Sequence, residues 1–215
     1  MSPSSSRQAI LDAVRAATQS DTNSYASLQR DYTHHGELDE AGRLSLMTER
    51  LREYGAEVME SDPADLPEII VRQLQLTGRH HFVAPPGLPP EWVRHGVSWA
   101  IDNDLSNEEI ERCGGVLTAA SAGIADTGTI VMHHGSGEGR RVISLLPDFH
   151  LCILRASQIA ETLPEYFARF PDPPRLATYI SGPSATADIE MTRIKGVHGP
   201  RFLSVIIVRD DSPST

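Results

Sequence analysis

Cysteine is scarce in this chain. Cys113 and Cys152 are the two among 215 residues, and they form no CxxC pair. A cysteine-ligated metal or iron–sulfur site needs about four ligands at set spacings, so the chain has no cluster framework of its own. Both cysteines are expected to be small, buried, reduced apolar residues. Long apolar runs are absent too: none approaches the roughly 20 residues that cross a bilayer. The first ten residues, MSPSSSRQAI, lack the apolar core of a leader, and a soluble, cytoplasmic protein is expected. Positive charge is in deficit, with 19 Lys and Arg against 29 Asp and Glu, a formal charge of -10. That disfavours a general nucleic-acid or membrane-surface binder, while a local basic pocket for a small anion stays open. Neither nucleotide fingerprint, GxGxxG after the first strands nor GxxxxGK[ST], is present. Nine histidines include adjacent pairs at 34–35, 80–81 and 133–134. No HxH or HExxH spacing occurs, and strand neighbours face opposite ways, so no metal site is expected.

A hydrophobic share of 40% and a charged share of 22% are ordinary for a globular domain. Three parts are expected: an N-terminal helix with an irregular arm over 1–36, an α/β domain over 37–210, and a disordered tail over 211–215. Ile10, Leu11 and Val14 mark a first helix through Thr18. Residues 19–36 lose periodicity and read as a mobile or partner-contacting arm. Leu44, Met47, Leu51 and Tyr54 predict a second helix closed by Gly55, then a strand at 56–59. Asp62-Pro63 opens a third helix with Leu66, Ile69, Ile70 and Leu74 on one face, closed by Gly78. Strands follow at 81–84 and 97–101. A short helix is expected near 91–95, and one at 107–113 capped by Ser106. Helices and strands alternating at short intervals favour an α/β fold with a mostly parallel sheet. The second half predicts strands at 116–120, 129–133, 142–146 and 151–154, an amphipathic helix over 158–170, and two last strands at 176–180 and 202–208.

Between those last strands lies SGPSATADIEMTRIKGVHGPR, residues 181–201. Connections usually run about 4–6 residues, so this one is long and chemically rich. Ser181, Gly182, Pro183, Ser184 and Thr186 read as an anion-binding turn with a helix starting just after, or as a capped turn. Leaving a strand's carboxyl end, the turn would sit where ligands bind in open α/β sheets. Asp188 and Glu190 share a face only on a strand. A carboxylate facing a pocket can act as base, nucleophile or ligand orienter, Glu190 in the apolar-flanked IEM being the better candidate and Asp188 the other, or both can belong to a solvated acidic turn near Lys195 or Arg193. His198 can serve as acid or base, or can satisfy backbone groups between two tight turns. In ADTGT, Asp126, Thr127, Gly128 and Thr129 read as an anion cradle or as a plain hairpin turn. Arg140 and Arg141 can clamp an anion or be solvated at the surface, and on a strand one would face inward and the other outward.

Together ADTGT (125–129), RRVISLLPDFH (140–150), ISGPSATADIE (180–190) and GVHGPR (196–201) resemble the lactate utilization protein C family (LutC/YkgG, the LUD domain). The resemblance runs from about Gly115 to Val208, with one visible departure: Asp126 stands where the family commonly has Glu. It implies a NagB/RpiA/CoA-transferase-like fold, with a mostly parallel central sheet flanked by helices. It also implies a non-redox subunit of an L-lactate-oxidising system, acting with iron–sulfur partners of the LutA and LutB type that carry the clusters, and with no cofactor in this chain. The alternative is a stand-alone enzyme of that fold acting on a small phosphorylated, folate or CoA-ester substrate. Glu190 would then be base or nucleophile, Arg140 or Arg141 the clamp, and the Gly-Pro-Ser turn the cradle. A small anionic ligand and a homo-oligomer fit either.

Overall fold

The computed structural model describes residues 3–18, 28–29, 31–187, 193–195 and 199–210. The chain divides into two units, Met1–Tyr32 and Thr33–Thr215. In the first, helix α1 (Pro3–Thr18) has Arg15 in its last turn, where the helix dipole favours a cation. Asp12 accepts from Gln8 (2.9 Å) and from Arg15 (3.2 Å), pairs at helical spacing.

The second unit is built on a wholly parallel sheet. Strands β1 (Glu57–Ser61), β2 (His81–Ala84), β3 (Ser98–Ile101), β4 (Gly115–Ala119), β7 (Phe149–Arg155) and β12 (Phe202–Val208) lie in the order β1-β12-β7-β4-β2-β3. Parallel strands covered on both faces read as near-continuous apolar runs, as FHLCILR and FLSVIIV do. One face of β7 carries Cys152 and Leu154, which pack with Met47 and Leu51 of α2 (Glu40–Glu53). The other carries Phe149, Leu151 and Ile153, which pack with Leu66, Ile70 and Leu74 of α3 (Leu66–Leu76) and with Trp92. Ile110 of α4 (Asn107–Glu111) covers the β2–β4 end with Val83, Val116 and Ile143.

A second sheet joins β5 (Ala122–Ile124), β6 (Thr129–Met132), β8 (Ile159–Ala160) and β9 (Thr178–Ile180) in the order β8-β5-β6-β9. Helix α5 (Leu163–Arg169) closes it with buried Tyr166 against Ile124 and Val131. Beyond the loop after β9, β10 (Ala185–Ala187) pairs antiparallel with β11 (Arg193–Lys195).

Several expected elements differ. The helix expected over 158–170 is β8 followed by α5, because Thr162 and Glu165 form a capping box that starts the helix anew, with Pro164 in its first turn. The strand expected at 142–146 is a 3-10 turn, Arg141–Ser144, in which the Ser144 hydroxyl donates to Arg141 O at 3.0 Å. Helix α3 starts at Leu66, one turn later than Asp62-Pro63 suggests, with Pro67 in its first turn. The helix near 91–95 shrinks to a 3-10 turn, Pro90–Trp92. Where a helix is expected to start just after Ser184, β10 (Ala185–Ala187) stands instead. No helix among the described residues is long and apolar enough to cross a membrane.

Candidate functional site

The loop after β9 borders a cavity of about 340 Å³. Its walls are the Thr178–Ala185 segment, the 3-10 turn with Arg141, Ser144 and Leu145, the Gly199-Pro200 approach to β12, and, from the strands, His150 and Leu203. His150 and Leu203 are register partners near the starts of β7 and β12. The cavity therefore lies at the amino edge of the six-stranded sheet, although the loop does leave the carboxyl end of β9. Ligands in open parallel sheets sit beyond the carboxyl ends. Here that edge over β2 and β4 is filled by residues 133–140: Ala119 N–H donates to Gly137 O (2.8 Å) and Gly137 N–H to Pro86 O (3.0 Å). Buried Glu138 anchors this plug, accepting from the Ser121 hydroxyl and from the backbone N–H groups of His133 (2.5 Å) and His134 (2.8 Å).

The two arginines part company. Arg140 gives Nε and Nη2 to the carboxylate of Asp102, at 2.9 and 2.5 Å, and Nη2 also to Leu105 O at 2.8 Å. The Asp102 side chain is 1% exposed, so Arg140 neutralises a buried charge and is held away from any ligand. Arg141 is exposed, borders the cavity and makes no ion pair among the described residues.

ADTGT is the β5–β6 hairpin turn. Asp126 and Thr127 are exposed, and Asp126, Thr127, Gly128 and Thr129 do not line the cavity. They reach it through a chain of hydroxyls: Thr127 Oγ1 to Thr129 Oγ1 at 2.8 Å, and Thr129 Oγ1 to Ser181 Oγ at 2.7 Å. The glycines of both motifs make room for the end of α2. A Cβ at Gly128 would lie 2.6 Å from Arg50 Cβ, and one at Gly182 2.6 Å from Tyr54 Cβ. Close approach is thus to the protein's own helix. Pro183 and Ser184 line the cavity, and Ser184 N–H donates to Pro200 O at 2.8 Å, closing the loop on itself. Thr186 lies on β10. Asp188, Glu190 and His198 lie outside the described residues.

His150 is the site residue that sequence reasoning missed. It is 1% exposed, and its Nε2 sits 2.8 Å from Thr118 Oγ1 on β4. Burial pushes its pKa down to about 4, leaving the ring neutral. The signal was present: His150 ends RRVISLLPDFH and is the histidine within an otherwise apolar strand. Cys152, two residues on, is fully buried, and burial pushes its thiol up to about 12, an unreactive group. The 133–134 histidines serve the second sheet. His133 Nε2 meets the Tyr166 hydroxyl at 2.8 Å and His134 Nε2 meets Thr178 Oγ1 at 2.7 Å. Across β7 and β12 a second hollow, about 440 Å³, contains Arg79 and Arg201. Both are bound to Asp148, whose carboxyl the Arg201 guanidinium holds below the usual range. No trio of His, Cys, Asp or Glu suited to a metal ion occurs among the described residues.

Residues 40–208 match the LUD domain. The Lactate utilization protein C of Deinococcus radiodurans is 39% identical over 175 residues, 80% of this chain and 82% of that protein. Its Bacillus velezensis counterpart is 26% identical over 204 residues, 85% of this chain and 84% of that protein. Among solved structures, a DUF162 family protein from Deinococcus radiodurans superposes with a TM-score of 0.66 at 33% identity, covering 80% of this chain and 99% of that one. The chain belongs to the LUD domain family.

Proposed function

From membership in the LUD domain family, we propose that this chain takes part in lactate utilization as a component without a redox centre of its own, holding a small carboxylate in the cavity beside residues 181–184. One observation carries the reading. Arg141 borders the cavity and has no acidic partner among the described residues, in a chain whose formal charge is -10. A guanidinium is always protonated and presents paired donors that match a carboxylate. A volume of about 340 Å³ suits a small metabolite. Oxidation of lactate must pass two electrons to an acceptor. Two buried cysteines cannot ligate a cluster, which supports placing the redox centres on iron–sulfur partner proteins of the LutA and LutB type.

Deleting the gene should abolish growth on L-lactate as sole carbon source. The wild-type chain should restore growth and Arg141→Ala should not, while the tagged protein from lactate-grown cells should co-purify with iron-bearing proteins. Undiminished growth of the deletion strain, or lactate oxidation by the isolated iron-free chain, would overturn the proposal.

A further inference from the structure

We propose that His150 determines specificity in this cavity by donating a hydrogen bond to an oxygen on the carbon next to the ligand's carboxylate, so that the site selects 2-hydroxy and 2-oxo carboxylates over unsubstituted ones. The inference rests on the carboxylate reading above and adds which atom of the ligand is recognised and by what.

His150 is the buried polar side chain among the strand residues lining the cavity; Leu203, its register partner, is apolar. A buried imidazole is retained where its nitrogens have partners, because an unmatched polar group in a dry site is costly. Only Nε2 has one among the described residues, Thr118 Oγ1 at 2.8 Å. Among the described residues the Thr118 hydroxyl has one other acceptor in reach, Cys152 Sγ at 3.9 Å, far weaker than a ring nitrogen. On that ground we assign the tautomer in which Thr118 donates to Nε2 and the single proton of the neutral ring resides on Nδ1. The ring's other edge then presents an N–H donor. Arg141 stands on the 3-10 turn that leads into β7 and borders the same cavity as His150, so one small ligand can meet both residues. An N–H donor there matches a hydroxyl or keto oxygen and is left unpaired by a methylene, the kind of mismatch that gives polar sites their discrimination. A neutral ring suits this role because it adds no second positive charge that would hold any anion regardless of its 2-substituent.

The test titrates the full chain with L-lactate, pyruvate and propionate by calorimetry. Both 2-oxygenated acids should bind about ten-fold more tightly than propionate, the worth of one hydrogen bond. In His150→Leu the three affinities should fall within about two-fold of one another, while Arg141→Ala should weaken all three together. Equal affinities in the wild type, or selectivity that persists in His150→Leu, would overturn the role of His150 and leave the Arg141 carboxylate site standing. Failure of all three acids to bind would overturn the carboxylate reading itself. Should His150→Leu not fold, the ring-nitrogen NMR shifts of the wild type decide: the Nδ1 signal should move with lactate and pyruvate and stay with propionate. An Nδ1 that ignores the oxygenated acids would sink the proposal.

Discussion

His150 and the pair Arg140–Arg141 show how context assigns a side chain its work. Adjacent arginines have the same chemistry, and only the fold separates them, by bringing Asp102 within reach of one and a cavity within reach of the other. No sequence spacing reveals that, since Asp102 lies 38 positions from Arg140. His150 was legible only as an oddity in an apolar run. Its burial has a measurable consequence. The ring titrates near 6.5 when unfolded and at about 4 when folded, so on acidification the unfolded chain takes up the proton first. The stability associated with this site is complete above pH 6.5 and is lost progressively between 6.5 and 4. Urea unfolding should show about 2 kcal/mol lost between pH 7 and pH 5, a window above the range of most carboxylates. His150→Leu should lack that loss, and an unchanged slope would show that His150 is not the group responsible.

At the scale of elements, the long apolar strands were readable and the short ones were not. FHLCILR and FLSVIIV declare themselves because both faces are buried. β8 has two residues, too few for any periodicity, and it was absorbed into the helix expected over 158–170. The same holds for β10, where a Ser-led turn reads equally well as a helix start. In ADTGT and SGPS the glycines were visible as punctuation, but their neighbour, the end of α2, was not, because that contact joins segments far apart in sequence. Gly128 combines a φ of +57° with a Cβ position 2.9 Å from the carbonyl carbon of Arg50. Gly128→Ala should therefore cost about 2–3 kcal/mol, from left-handed strain plus displacement of α2. Gly135→Ala, where a Cβ meets open space, should stay within about 0.5 kcal/mol. Chemical denaturation of both variants checks the contrast, and equal stabilities would remove α2 packing as the reason for Gly128.

For the molecule as a whole, the α/β class and the parallel sheet followed from the alternation of helices and strands. The place of the cavity did not. It is assembled from the turn before β7, the start of β7, the loop after β9 and the approach to β12, segments that only the folded sheet brings together. The general preference for carboxyl edges pointed to the other side of the sheet, where Gly137 and Glu138 instead plug the crevice with the chain's own backbone. Membership in the LUD domain family links this architecture to proteins named for lactate utilization, and Arg141 supplies the cationic group that a small carboxylate would need. The most direct measurement is the dissociation constant for L-lactate of the purified chain and of Arg141→Ala. Binding by the wild type that weakens at least about ten-fold in Arg141→Ala, as loss of a charge-assisted contact requires, is the expected result. The same affinity in both proteins, or no binding by either, would contradict the carboxylate site.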